Sequence, residues 1–463
     1  MKSAVPFLFK VPFRADSFIL LRTGLYLTVI IVGVSLTSCT EHQPNSSVTP
    51  VTEKPVIENP ADKTPPLDTQ VVPAFPVDAN WLGYHGTHRN AHVAWLPETL
   101  EQMQLVWKYP LSSPGLAGVV ANGQYVISSD RNVEDTQDQI HAVHADTGLE
   151  AWTYVLKSHG GYDYGNSQRA TPLIHENMVY CLSASGQLVA LNLQTGELKW
   201  QKDLVADFQV TQPPVGGYSA SPLMVNHQLI ISPGAAEASL VALDPQTGNV
   251  LWKSPGNPMA YGSLITIQIG QQTQIVGNDE SSLGGWDPQT GVRLWTFHPM
   301  VDSSFFVPGI QSYGDKLIVT DENNGTLMLG FDQSGKIKPE PLGAMRELSP
   351  EYHSPAIWQD RLIGVWGIMF VADLKHELQE LAINNDGAFD NFTTIIVGPD
   401  RLLMTTSVGD LLLLDPRTVS PRIINRVSIS NDETAMFSFP AIVGKRLYVR
   451  TTTQLLCLRL GDE

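Results

Sequence analysis

The sequence predicts an all-β chain built as an eight-bladed β-propeller, with four-stranded antiparallel blades and a ring closed by its N- and C-terminal strands. Three observations lead there. A turn motif recurs with Gly and Trp in fixed positions: Gly148 with Trp152, Gly196 with Trp200, Gly248 with Trp252 and Gly291 with Trp295. The Gly positions lie 48, 52 and 43 residues apart, and residues 80–463 divide into eight units of 48. The composition, 16% charged with 37 Gly and 32 Pro among 463 residues, suits short strands joined by turns and excludes a coiled coil or a collagen.

Residues 1–38 read as an export signal. Lys2, Lys10, Arg14 and Arg22 precede an apolar run at 25–36. That run is short for a bilayer span, which needs roughly 20 residues, and right for a signal-peptide core. It ends Leu36-Thr37-Ser38-Cys39, which resembles the bacterial lipobox. The resemblance implies cleavage before Cys39 and lipidation of that residue, and two or three acyl chains would anchor the chain stably. Thr40, where Asp would retain a lipoprotein at the inner membrane, resembles the sorting signal for the outer membrane and implies a periplasmic-face anchor there. Residues 39–79 are then the lipidated Cys and a disordered tether. Pro44, Pro50, Pro55, Pro60, Pro65, Pro66, Pro73 and Pro76 stiffen it towards polyproline II, and Phe75 is its one aromatic residue.

The net charge of −17, which becomes −20 once residues 1–38 are removed, disfavours a nucleic-acid partner, since phosphate binding rests on Lys and Arg. Three cysteines, Cys39, Cys181 and Cys457, cannot form a disulfide framework, and no zinc-type Cys/His spacing occurs.

From residue 80 each unit reads as four strands. The first is short and often opened by Ser/Thr-Pro, as at Thr171-Pro172, Ser221-Pro222 and Ser354-Pro355, with Phe439-Pro440 as a variant. First strands are expected near Val119, Leu173, Leu223, Leu264, Val307, Ala356, Thr394 and Ala441. A polar turn leads to the second strand. The third carries a small residue, as in Leu188-Val189-Ala190-Leu191 and Leu240-Val241-Ala242-Leu243. The motif turn follows: Asp or Asn bonds its own backbone, Pro presets φ, and Gly accepts a left-handed conformation. Trp on the fourth strand covers the neighbouring sheet. Weaker copies lie at Phe331-Asp332-Gln333-Ser334-Gly335 and Leu414-Asp415-Pro416-Arg417-Thr418. The last unit lacks a fourth strand, and Gln104-Leu105-Val106-Trp107-Lys108-Tyr109 is expected to supply it beside residues 455–460, removing the open edges.

This pattern resembles the PQQ-type β-propeller repeat over residues 107–460. The stretch from Tyr164 to Pro172, with Trp81 and Gly86 ahead of it, resembles the exported PQQ-like repeat proteins of planctomycete-type bacteria. Lipobox and propeller together resemble the outer-membrane assembly lipoproteins of the BamB type, which implies a non-catalytic scaffold, a monomeric ring that binds envelope proteins or peptides. The competing expectation is a PQQ-dependent alcohol or sugar dehydrogenase, with PQQ and calcium as cofactors. That family's resemblance implies adjacent cysteines beneath the quinone and a carboxylate set on calcium, and this sequence has no adjacent cysteines and no haem CxxCH. No cofactor is expected under the scaffold reading. A third expectation is an envelope protein that binds polysaccharide.

Candidate sites are few. His85, His88 and His92 fall where Gly86 and Asn90 break helical order, so no metal site is expected. The acidic turn Asp321-Glu322-Asn323-Asn324 reads as a solvated hairpin. Tyr218 in Gly217-Tyr218-Ser219-Ala220-Ser221 lacks the second Gly of a nucleophile elbow. More informative are aromatic and basic residues just ahead of the first strands: Tyr164, Arg169, Tyr218, Tyr261, Phe305 and His353, with Phe392 and Phe437. Some fill gaps between blades. The remainder are expected to form an aromatic funnel at the channel mouth, suited to a peptide or glycan.

Overall fold

A computed structural model describes residues 79–461 apart from Tyr164, Met259, residues 302–306, Glu351, Asn391 and residues 431–435. The export signal, Cys39 and all but the end of the tether therefore lie outside the described residues, as do Tyr164 and Phe305. Among the described residues no helix is long and apolar enough to cross a membrane.

Eight sheets of four antiparallel strands succeed one another along the chain. Blade 1 consists of Val120–Ala121, Tyr125–Arg131, Gln137–His144 and Glu150–Lys157. Blade 2 begins at Leu173–His175, blade 3 at Leu223–Val225, blade 4 at Ile265–Ile269, blade 5 at Gln311–Tyr313, blade 6 at Ala356–Trp358, blade 7 at Thr393–Val397 and blade 8 at Ala441–Val443. Blade 5 opens four residues later than the sequence pattern suggests, after Pro308 and Gly309. Blade 8 is completed from the other end of the chain: Gln104–Pro110 pairs antiparallel with Gln454–Arg459, Trp107 opposite Cys457 and Tyr109 opposite Leu455. In blade 2 the second and third strands are the most buried, and the fourth faces solvent with one edge.

The motif makes two contacts at once. Within a blade, the small residue of the third strand stands directly across from Trp: Ala142 with Trp152, Ala190 with Trp200, Ala242 with Trp252 and Gly285 with Trp295. A register shift follows that pair in all four blades. The small side chain makes room for the indole; at Gly285 a Cβ would come within 2.1 Å of the Trp295 ring nitrogen.

Between blades, four indoles lie on the turn Gly of the next, whereas that of Trp295 donates to Gln274 Oε1 at 2.7 Å. A Cβ on Gly148, Gly196, Gly248 or Gly291 would meet the ring of Trp107, Trp152, Trp200 or Trp252 at 2.3–2.8 Å, and these glycines hold φ of 69–71°. The indole N–H then donates to a carbonyl of that turn: Trp107 to Ala145 and Trp152 to Leu193 at 2.9 Å, Trp200 to Pro245 at 2.9 Å and Trp252 to Pro288 at 3.1 Å. Asp244 Oδ1 shapes its turn by accepting from the backbone N–H of Gln246 and Thr247. In blade 7, where Val419 replaces Gly, the Arg361 guanidinium donates instead to the carbonyls of Pro416 and Thr418. Replacing Gly196 by Ala adds a positive-φ penalty to a clash with the Trp152 ring, and is expected to cost about 2 kcal/mol, read as a lowered urea midpoint.

Candidate functional site

All eight innermost strands run the same way along the central channel, so their first residues surround one mouth and their last residues the other. The blade-to-blade connections, together with the turns between second and third strands, gather at the first mouth. The Trp-bearing turns gather at the second.

Residues 81–93 enter this channel as a hairpin from the second mouth. Trp81 pairs through both backbone groups with Ala121 at 2.8 Å, and the Leu82 carbonyl accepts from Ile174 N–H at 2.7 Å. On the return limb His92 Nε2 donates to the Ile357 carbonyl at 2.8 Å, and Ala91 and Val93 bracket Val397 at 2.9 and 2.8 Å. The tip reaches the strand starts. Arg89 donates to the carbonyls of Leu264 at 2.7 Å, Ser221 at 3.4 Å and Pro222. Tyr84 shares a 3.0 Å hydrogen bond with Ser354 and lies close enough to Gly309 that a Cβ there would meet its hydroxyl at 2.8 Å. His85 stacks between Tyr84 at 4.0 Å and Phe439 at 4.3 Å. One thirteen-residue segment thus touches all eight blades. His85, Arg89 and Ala91 adopt positive φ to do so.

The three histidines do not converge: His85 and His92 go to different walls of the channel. Burial, with Arg89 adding to it, pushes His85 down to about 3, and burial pushes His92 to about 4 against the pull of the Ile357 carbonyl. Both rings are neutral at physiological pH. Arg89 stays cationic although burial lowers it to about 10.

Around the hairpin tip the first mouth is aromatic. His353 packs on Phe392 at 4.7 Å, Phe392 on Phe437 at 5.3 Å and on Phe439 at 6.2 Å, and Phe439 meets His85. Buried polar atoms without a hydrogen-bond partner occur in the same layer: both ring nitrogens of His353, both amide atoms of Gln168, His85 Nε2, and the hydroxyls of Thr393 and Thr394. Burial lowers His353 to about 4, leaving a neutral imidazole.

Outside this layer Met300, Val301, Tyr352, Trp366 and Val408 are exposed. All five sit on connections or second-to-third-strand turns of blades 5–7, forming an apolar rim beside His353 and Phe392.

Half of the described sequence candidates do not belong to this surface. Tyr218 is 1% exposed, and its hydroxyl donates to the Pro233 carbonyl at 3.0 Å; it fills a gap between blades because Gly186 and Gly217 let the connection close over it. Tyr261 accepts from Gly216 N–H at 3.0 Å and braces the same connection. Arg169 spends its guanidinium on carbonyls of its own loop, Ser167 at 3.1 Å, Gly165 at 2.8 Å and Asp163. His353 does face the mouth, but as its buried floor. The rim residues Trp366 and Val408 escaped sequence reasoning; Trp366-Gly367, a large aromatic in a turn, was the signal available.

The acidic turn at 321–324 is solvated only at Glu322 and Asn323. Asp321 and Asn324 are each 1% exposed; Asp321 accepts from Asn323 and Asn324, and Asn324 exchanges hydrogen bonds of 3.0 and 2.8 Å with the Val301 backbone, holding the connection that carries the rim. The other buried carboxylates among the described residues face arginines: Asp138 with Arg131, Asp130 with Arg450, Asp279 with Arg293, Asp410 with Arg426 and Asp415 with Arg417. Cys181 and Cys457 lie inside blades 2 and 8, where burial raises both thiols. Among the described residues, therefore, neither adjacent cysteines nor a free carboxylate set is gathered at the channel. The described donor groups do not fit a calcium-bound quinone.

An eight-bladed ring whose Thr-Gly turns are covered by Trp from the preceding blade is a PQQ-type repeat propeller. The chain belongs to the family described as outer membrane protein assembly factor BamB, whose model matches residues 75–296 and 236–461. Among curated proteins it is 25% identical over 201 residues to 1-butanol dehydrogenase (cytochrome c) of Thauera butanivorans, covering 40% of this chain and 28% of that protein. It is 27% identical over 194 residues to outer membrane protein assembly factor BamB of Burkholderia pseudomallei, covering 40% of this chain and 44% of that one. The chain thus spans less than half of the length of either relative. The crystal structure of BamB from Moraxella catarrhalis superposes with a TM-score of 0.55 at 15% identity, covering 77% of this chain and 99% of that one, a likeness of fold.

Proposed function

We propose that this protein is an exported, lipid-anchored scaffold of the bacterial envelope, held by Cys39 at the periplasmic face of the outer membrane and acting without catalysis in outer-membrane protein assembly. The observation that carries this reading is the first mouth: its axis is filled by the protein's own hairpin, and an apolar rim on blades 5–7 stands exposed around it. A filled channel with an exposed apolar edge suits an extended apolar segment of a partner protein. Family membership and the BamB relative support the same reading. The tether would let the ring search a volume below the membrane, since about 40 residues of flexible chain reach roughly 35 Å.

The test is site-specific photocrosslinking in cells from Trp366 and Val408. An envelope protein is expected in the adduct, and Trp366→Glu combined with Tyr352→Glu should abolish its recovery while the melting temperature is unchanged; undiminished recovery overturns the proposed face. Lipid attachment is checked separately by palmitate labelling, expected to vanish in Cys39→Ala.

The similarity to 1-butanol dehydrogenase favours a second reading, a quinoprotein dehydrogenase. Purified protein supplied with PQQ and calcium should then reduce an electron-accepting dye with alcohols or sugars, a result the scaffold reading does not expect.

A further inference from the structure

The mouth opposite the aromatic rim carries a group that neither the fold nor the proposed scaffold role requires. His175 ends the innermost strand of blade 2, Glu176 begins the turn after it, and His227 lies in the equivalent turn of blade 3. One ligand atom from each, two imidazole nitrogens and a carboxylate oxygen, lies within 4.8 Å of the others. His175 Nε2 stands 3.8 Å from Glu176 Oε1, and the two imidazoles meet edge to face with centroids 6.3 Å apart.

From this arrangement we infer that His175, Glu176 and His227 form a divalent transition-metal site, of the zinc class, bridging blades 2 and 3. Zinc binds imidazole nitrogen and carboxylate oxygen at about 2.0–2.2 Å, so tetrahedral ligand atoms lie roughly 3.3 Å apart. Closing the present cluster to that spacing asks for side-chain rotations of about an ångström, and Glu176 and His227 are exposed and free to make them. Two imidazoles exclude calcium and magnesium, which take oxygen ligands. Three protein ligands leave a fourth position open to water or to a donor from another molecule.

The backbone is set for these residues at some cost. Glu176 holds φ 53°, and Asn226 and His227 hold 49° and 57°. The corresponding first turn position in blades 4, 5 and 8 is Gly270, Gly314 and Gly444, with φ of 58–59°, and in blade 6 it is Gln359 at 54°. Blades 2 and 3 thus place a carboxylate and an imidazole in turns where left-handed backbone ordinarily favours Gly.

The experiment is zinc titration of the purified full chain, free of any polyhistidine tag, by calorimetry and by competition with a chromophoric chelator. One zinc per chain is expected, with calcium unable to displace it. His227→Asn, which keeps a residue tolerant of left-handed backbone, and His175→Ala should each weaken binding at least tenfold, and Glu176→Gln severalfold. His376→Ala, at a remote exposed histidine, should leave it unchanged. The apo variants should melt like the wild type, and zinc should raise the melting temperature of the wild type and of His376→Ala more than that of the three site variants. No stoichiometric zinc binding by the wild type, or an affinity within twofold of it in His227→Asn, would overturn the site.

Discussion

Deleting Gln104–Pro110 is expected to abolish cooperative unfolding of the whole ring, not only of blade 8. This strand is the outer edge of blade 8 and comes from the opposite end of the described chain, so it is the clasp between the first and last blades. Its loss exposes the edge of Gln454–Arg459 and also removes Trp107, whose indole covers Gly148 of blade 1 and donates to Ala145. Both the sheet and the blade-to-blade contact open at one seam. A milder change isolates the second effect: Trp107→Ala leaves the strand backbone in place and should cost about 3–5 kcal/mol, as for other buried Trp side chains. Stability of a domain is typically about 5–15 kcal/mol, so the point variant should still fold with a much lower urea midpoint. The deletion should give a broad, non-cooperative transition by tryptophan fluorescence and circular dichroism. A deletion protein that melts sharply at the wild-type midpoint would refute the clasp.

The clasp was legible in the sequence because it completes a period. Seven units ended in a fourth strand and the eighth did not, while an unassigned apolar strand preceded the first. The same periodicity located seven innermost strands to within about a residue, helped by Pro at strand starts, where no ladder N–H is lost. Blade 5 slipped because its own repeat has decayed to Phe331-Asp332-Gln333-Ser334-Gly335.

What the sequence could not show is the channel hairpin. Trp81-Leu82-Gly83-Tyr84-His85 and the residues after it have neither a helical nor a strand period, and their partners lie far along the chain. Arg89 is satisfied by carbonyls 132–175 residues away, a relation set by ring closure and not by local pattern. The same blindness affected Tyr218, Tyr261 and Arg169. An aromatic or basic residue in a connection reads alike whether it faces solvent or a neighbouring loop; only the glycines beside Tyr218 hinted at close packing. Two of the exposed rim residues, Trp366 and Val408, come from turns that the repeat treats as variable.

The polar part of the same seam gives the second large effect. Arg450 of blade 8 and Asp130 of blade 1 are each 1% exposed, 3.3 Å apart. The guanidinium also donates to the carbonyls of Ser129 at 3.1 Å, Thr451 at 3.2 Å and Ser113 at 2.8 Å, and Gly115 is bare so that it can pass, since a Cβ there would lie 2.3 Å from it. Asp130 accepts from the backbone of Ser112 at 2.6 Å and Ser113 at 3.0 Å. Removing one member leaves the other charged, buried and short of partners, so Arg450→Met and Asp130→Asn should each cost about 3–5 kcal/mol, and the double variant less than their sum. The pair also sets acid sensitivity. Burial alone would raise the Asp130 carboxyl, but the His141 ring 3.7 Å away, the Ser112 N–H and Arg450 outweigh it and bring the group from an ordinary 3.8 to about 2. A carboxylate depressed in the folded state stabilises above its unfolded value and loses that contribution as pH falls through its folded value. Wild-type stability should therefore drop by about 2 kcal/mol more than that of Asp130→Asn between pH 4 and pH 2, measured by urea unfolding at each pH. Parallel acid profiles for the two proteins would show that Asp130 is not the group that titrates at the seam.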